Sequence, residues 1–153
     1  MTEATTLPTK SDSVTALTKH TGSLIRRAQQ RHLAIWLAEV SSEVTSVQYA
    51  ALAALHERPD ISQRQLGDAL DVDRSTIADL VARMVRNGLI ARMNDPADRR
   101  GYIVSLTPAG RLQLATLKPR VDAVEHILTA ALTQHEVSEL TRMLSLLLSD
   151  RAL

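Results

Sequence analysis

The chain contains no cysteine. That absence removes disulfides, thiolate metal sites, cysteine nucleophiles and thiol-based redox sensing together. Phenylalanine is also missing, with one tryptophan and two tyrosines present, so any core must be built mainly from Leu, Ala, Val and Ile. No charge of one sign dominates. The 18 Lys and Arg against 17 Asp and Glu leave a formal net charge of +1, too close to neutral to announce a polyanionic partner. No run of about 18 apolar residues occurs, so no membrane-spanning helix and no membrane partner are expected. Residues 1–10 lack the apolar centre of a signal peptide, and a cytoplasmic protein is the resulting expectation. Internal repeats and low-complexity tracts are absent. So are a glycine-rich phosphate loop, a His-x-x-x-His pair and a Gly-x-Ser-x-Gly elbow. No catalytic residue is nominated and no enzyme is expected. His20, His32, His56, His126 and His135 form no tight ligand motif, so neither a metal nor a cofactor is expected.

What is present is a chain of 153 residues, most simply one domain with enough length for a real core. The cations are of one type, 15 Arg against 3 Lys. Arg is the better fork for phosphates and base edges, but a GC-rich genome produces the same bias. Residues 1–10 are polar, with Pro8 and four Thr, and read as a frayed tail. Ser11 to Ser13 offers N-caps for a first helix over 14–40, interrupted by polar residues around His20 to Gly22. The capping boxes Thr45-Ser-Val-Gln48, Ser62-Gln-Arg-Gln65 and Thr133-Gln-His-Glu136 mark three further helix starts. Pro59 should stop the helix begun at Thr45.

The most informative stretch is 61–107. The Ser62 box opens a short helix with Leu66, Ala69 and Leu70 inward. Asp71 and Val72 make a turn, and Asp73 caps a second helix with the apolar face Ile77, Leu80, Val81, Met84 and Val85. That helix closes on Asn87-Gly88, a left-handed C-cap pair. Two helices on so short a turn, each amphipathic on one side, match a helix-turn-helix. The outer face of the second carries Arg74, Ser75, Thr76, Asp79 and Arg83, groups suited to phosphates and base edges. Two strands follow, about 89–93 and 101–106, the latter alternating Tyr102, Val104 and Leu106 against Ile103 and Ser105. The loop between them holds Pro96, Asp98, Arg99 and Arg100. Paired arginines at a hairpin tip fit a wing that enters a minor groove, with Asp98 orienting its neighbour by an ion pair. Ser62, Gln63 and Arg64, at the start of the first helix, complete the candidate DNA-binding set.

Thr107-Pro108 then starts a long helix, in which Pro119 should force a bend or break near Leu117. The last helix carries Val137, Leu140, Met143, Leu144, Leu146, Leu147 and Leu148. That apolar arc is too wide for a helix with one solvated side, and a second copy of the chain is the expected cover.

The runs Asp73-Arg-Ser-Thr-Ile, Asn87-Gly-Leu-Ile, Asp95-Pro-Ala-Asp-Arg-Arg100 and Val104-Ser-Leu-Thr-Pro-Ala-Gly110 resemble the MarR family of bacterial transcription regulators, over about 14–148. The resemblance implies a mainly α fold with a small β-wing, a winged helix-turn-helix made dimeric through its N- and C-terminal helices. In that scheme 1–10 is a tail, 11–40 and 107–153 form the helical dimerisation region, and 45–106 is the DNA-binding unit. It implies a homodimeric repressor on a palindromic operator of double-stranded DNA, released by a small molecule. Arg74, Ser75, Thr76 and Arg83 then fall on the recognition helix, and Asp98 and Arg100 match the wing's D-x-R. Oxidant sensing through Cys, used by one branch, is impossible here. Another branch binds aromatic acids or phenols between the dimer body and the winged unit. His20, Ser23, Arg26 and Arg27 lie on the first helix where such a pocket would form, and Arg or His is the natural partner of a carboxylate. A winged helix used only for protein contact is the alternative, but the wing arginines and polar recognition face would be wasted on an apolar partner.

Overall fold

In the computed structural model of the protein, which describes residues 19–149, five of the six described helices begin where a short polar side chain satisfies free backbone amides, and the first, with His20 as N-cap, has no such bond. The Thr45 hydroxyl accepts from the Gln48 amide at 3.2 Å while Gln48 Oε1 accepts from the Thr45 amide at 2.9 Å. Ser62 with Gln65, and Thr133 with Glu136, make the same reciprocal pairs. The elements in chain order are α1 (Thr21–Glu39), α2 (Ser46–Glu57), β1 (Ile61–Ser62), α3 (Gln63–Leu70), α4 (Arg74–Arg86), β2 (Ile90–Asn94), β3 (Tyr102–Leu106), α5 (Pro108–Thr129) and α6 (Gln134–Ser149). The expected tail, the N-caps Ser11 to Ser13 and the start of the first apolar run lie outside the described residues. No helix among those described is long and apolar enough to cross a membrane.

Two apolar clusters hold the chain together. One joins Ala51, Leu52 and Leu55 of α2 to Leu66 of α3, Ile77, Leu80, Val81 and Met84 of α4, and Ile90 and Val104 of the sheet. The other joins Trp36 and Val40 to Val44, Leu117 and Val124, fastening α1 along α5. Trp36 donates its indole N–H to the Val44 carbonyl at 2.8 Å, and the Arg120 guanidinium reaches the Val40 carbonyl at 3.3 Å. With no Phe in the chain, the first cluster is built without an aromatic ring, and the second packs around the Trp36 indole with Tyr49 against it.

The fold departs from the sequence reading in several places. There are three strands, not two. Ile61 and Ser62 pair antiparallel with Val104 and Ile103, giving the order β1-β3-β2. Two residues, the second of them already the N-cap of a helix, carry no alternation that could announce a strand. Ala69 is exposed rather than inward; α3 buries Leu66 and Gly67 instead. Helix α1 begins at Thr21, so His20 is its N-cap and Gly22 lies in its first turn rather than in a helix interior. Pro119 does not break α5. Pro119 and Ala115, whose carbonyl loses its i+4 donor, both lie at exposed positions.

Helix α4 is held at both ends. At its start Asp73 Oδ1 accepts from the Ser75 and Thr76 amides, both at 2.9 Å, and the two hydroxyls donate to its carboxylate at 2.6 Å. The Ser75 hydroxyl first, then the Thr76 hydroxyl and amide, hold the Asp73 carboxyl well below the usual carboxylate range. At its end the Leu89 amide bonds the Met84 carbonyl and the Gly88 amide the Val85 carbonyl, with Gly88 at φ 70°. This is a Schellman cap, and the left-handed position favours glycine.

That cap is fused to the start of α5. Thr107 Oγ1 lies 2.6 Å from the Gly88 carbonyl and 3.0 Å from the Leu89 carbonyl, and accepts from the Gly110 amide at 3.0 Å. A Cβ on Gly110 would stand 2.0 Å from the Leu89 carbonyl oxygen. Gly110→Ala is therefore expected to destabilise the protein by about 1–3 kcal/mol or more, read as a lower denaturant midpoint. Asp73, whose carboxyl titrates low when folded, stabilises above its ordinary pKa of 3.8, and that stability is lost as pH falls through the folded value. The melting-temperature gap between wild type and Asp73→Asn should be widest above about pH 5 and narrow below about pH 4; a pH-independent gap would show that the carboxylate's charge is irrelevant.

Candidate nucleic-acid interface

A groove of about 870 Å³ runs between the start of α3, the start of α4 and the wing. Four guanidiniums line it, those of Arg64, Arg74, Arg92 and Arg100, together with the carboxylates of Asp68, Asp95 and Asp98. Four cations and three anions thus meet in one place. Each arrives by a local device. The Ser62 capping box aims the first turn of α3 into the groove, and the left-handed turn at Asp71, φ 54°, swings α4 across it.

Of the sequence-nominated residues, Ser62, Gln63, Arg64, Arg74, Asp98 and Arg100 meet in this groove. Ser75, Thr76, Asp79 and Arg83 stand on α4, with Ser75 and Thr76 exposed at its start, and Arg99 is exposed on the wing. Ser62 is partly engaged, since its hydroxyl oxygen caps α3. Gln63 is half-buried and its Oε1 is enclosed without a donor, an arrangement that is unfavourable unless something else supplies one. The Ser75 and Thr76 amides, an anion site in an uncapped helix, are filled by the chain's own Asp73 carboxylate. Both hydroxyls spend their proton on that carboxylate, so they face outward as acceptors only.

Asp98 does not act as the sequence suggested. It is in neither ion pair found among the described residues. Its Oδ1 accepts from the Arg100 amide at 3.0 Å, and its carbonyl accepts from the Gly101 amide at 2.9 Å. Asp95 Oδ1 likewise takes the Ala97 amide at 2.8 Å. The two carboxylates shape the wing through its backbone and leave the Arg99 and Arg100 side chains out of ion pairs. Sequence reading missed Arg92 and Tyr102, although the alternation of β2 and β3 contains the signal. His20, Ser23, Arg26 and Arg27 are not part of the groove. Ser23 is half-buried, His20, Arg26 and Arg27 are exposed, and Arg26 bonds Gln30 Oε1 at 3.4 Å.

Known proteins share this fold. Residues 44–102 match the model of the MarR family. The chain is 34% identical over 121 residues to the HTH-type transcriptional repressor NicR of Pseudomonas putida, covering 78% of this chain and 77% of NicR. Its fold matches the crystal structure of the PcaV transcriptional regulator from Streptomyces coelicolor in complex with its natural ligand, with a TM-score of 0.84, 36% identity, and 90% and 96% of the two chains covered. It also matches BpsR of Bordetella bronchiseptica, whose DNA binding is regulated by 6-hydroxynicotinic acid, with a TM-score of 0.76, 30% identity, and 82% and 96% covered. With a winged helix-turn-helix of this geometry and relatives at this identity over most of their length, the chain belongs to the MarR family of transcriptional regulators.

Proposed function

We propose that the protein is a homodimeric repressor that binds a palindromic DNA operator and is released by a small aromatic acid. The observation that carries the DNA reading is the groove, where guanidiniums from α3, α4, β2 and the wing converge in an otherwise neutral chain. In this reading the outward face of α4 enters a major groove. Arg74 and Arg83 supply donors for phosphates or base edges, and the acceptor-only hydroxyls of Ser75 and Thr76 suit the amino groups of adenine or cytosine. Ser62, Gln63 and Arg64 approach the flanking backbone, Asp79 presents an acceptor, and Arg99 and Arg100 take the wing to a minor groove.

Dimerisation is supported by what α6 leaves uncovered. It has no buried residue, and Met143, Leu146, Leu147 and Leu148 are each more than half exposed. Leu24, Ile25, Leu33 and Leu37 of α1 are exposed as well. So much apolar surface is a liability for a monomer. A two-fold pairing through 11–40 and 107–153 would cover it and hold two copies of α4 about 34–36 Å apart, one turn of DNA.

Release by an aromatic acid is supported by the likeness to BpsR and by the chemistry of α1, where His20, Ser23, Arg26 and Arg27 offer donors to a carboxylate. A ligand bound there repels DNA only if it prefers a spacing of the α4 pair that DNA does not accept, typically by about 1–3 kcal/mol.

The wild-type chain is expected to sediment as a dimer and to shift specific genomic fragments against nonspecific competitor. Arg100→Ala should leave sedimentation unchanged, weaken binding, and flatten the slope of log K against log salt by about 0.9 for each phosphate no longer neutralised. An unchanged affinity and slope would remove the wing from the mechanism. Among aromatic acids in a thermal-shift screen, a true effector at about 100 times its Kd adds about 2.7 kcal/mol, a rise of roughly 5–10 °C for a chain this long. Arg26→Ala with Arg27→Ala should abolish that rise; if no aromatic acid moves the melting point, the ligand class is wrong.

A further inference from the structure

The wing carries an arginine where strand geometry calls for an apolar residue. Ile90, Arg92 and Asn94 share one face of β2 and pair with Leu106, Val104 and Tyr102 of β3. Near the helices that face is sealed, with Ile90 at 2% and Val104 at 0% exposure. Further out the sheet outruns its core. The same inward face continues as Arg92 and Tyr102, which are exposed and line the groove beside Arg64, Arg74 and Arg100. Arg92 belongs to neither ion pair among the described residues. Its guanidinium carbon instead stands 4.3 Å from the centroid of the Tyr102 ring.

Stacking engages the flat face of a guanidinium and leaves its N–H donors free at the rim. A long side chain already held in place loses less freedom when a ligand arrives. We propose that Tyr102 is a positioning residue, holding Arg92 in the groove as a preset contact to a DNA backbone phosphate, distinct from the contact made by the wing tip. The assignment rests on the reading of this groove as the DNA interface. It divides the work between the two residues: Arg92 supplies the charge, and the Tyr102 ring supplies its placement, with no role for the phenol hydroxyl.

The test is anisotropy titration, across a range of salt, of the duplex that wild-type protein enriches from a random-sequence library. Arg92→Ala should weaken binding about tenfold at low salt and flatten the salt slope by about 0.9. Arg92→Lys should keep the slope. Tyr102→Leu, which fills similar space without a π face, should weaken binding by about three- to fivefold with the slope intact, and Tyr102→Phe should bind as wild type does. Melting curves of all four variants separate these effects from loss of fold, and because Tyr102 is 38% exposed its variants are expected to remain folded. A wild-type slope in Arg92→Ala overturns the phosphate contact, as does an altered base preference without a slope change. A loss in Tyr102→Phe equal to that in Tyr102→Leu overturns the positioning role. If Arg100→Ala weakens binding while Arg92→Ala does not, only this inference falls; if wild-type protein enriches no duplex, it falls together with the regulatory reading.

Discussion

The structure depends on the joint between the end of α4 and the start of α5. There the hydroxyl of Thr107 sits against the Gly88 and Leu89 carbonyls and takes the Gly110 amide. Backbone meets backbone so closely that Gly110 has no room for a side chain. The joint lies where the two apolar clusters have to be connected. Helix α5 packs on α1 through Leu117 and Val124, while Leu114 and Leu106 pack against the cluster that holds α4. The start of α5 is thus tied directly to the last turn of α4. In the proposed homodimer, the spacing of the two α4 helices would then depend on the whole chain rather than on the winged unit alone.

The electrostatics follow the same economy of short contacts. Net charge says almost nothing about this protein, because cations from four separate elements are gathered in one groove and three of the nearby carboxylates bond their own stretch of chain. Asp73 fills the amide site at the head of α4 and polarises two hydroxyls. Asp95 and Asp98 fold the wing tip onto itself. None of these three forms an ion pair with an arginine among the described residues. Exposed ion pairs stabilise by only about 0–1 kcal/mol, so leaving the guanidiniums unpaired sacrifices little stability while keeping their donors available to a phosphate.

Helix α6 presents the opposite situation, with ample apolar surface and no local use for it. Its capping box is complete and its backbone is regular, yet it buries nothing within one chain. Pairing with a like helix, as in the proposed homodimer, would give that surface a use, and pairing through α6 and α1 would relate the joints of the two copies.

Local chemistry was legible without coordinates. Three capping boxes, the Asp73 cap, the Asn87-Gly88 stop and the Thr107-Pro108 start depend on residues within a few positions of one another, and each formed as read. The short amphipathic helices and the alternation of β3 were legible for the same reason. What the chain could not disclose by itself were contacts whose partner lies far away in sequence. β1 exists because Ile61 and Ser62 meet Val104 and Ile103; without that edge they are only the lead-in to a cap. Pro119 leaves α5 continuous, and the residue whose carbonyl it deprives lies at an exposed position. Gly110 is obligatory because Leu89 lies above it, Asp98 serves a backbone amide rather than a guanidinium, and Arg92 stands over the ring of Tyr102, ten positions away in sequence. Caps and periodicity are settled by neighbours along the chain, whereas clashes, exposure and stacking are settled by neighbours in space.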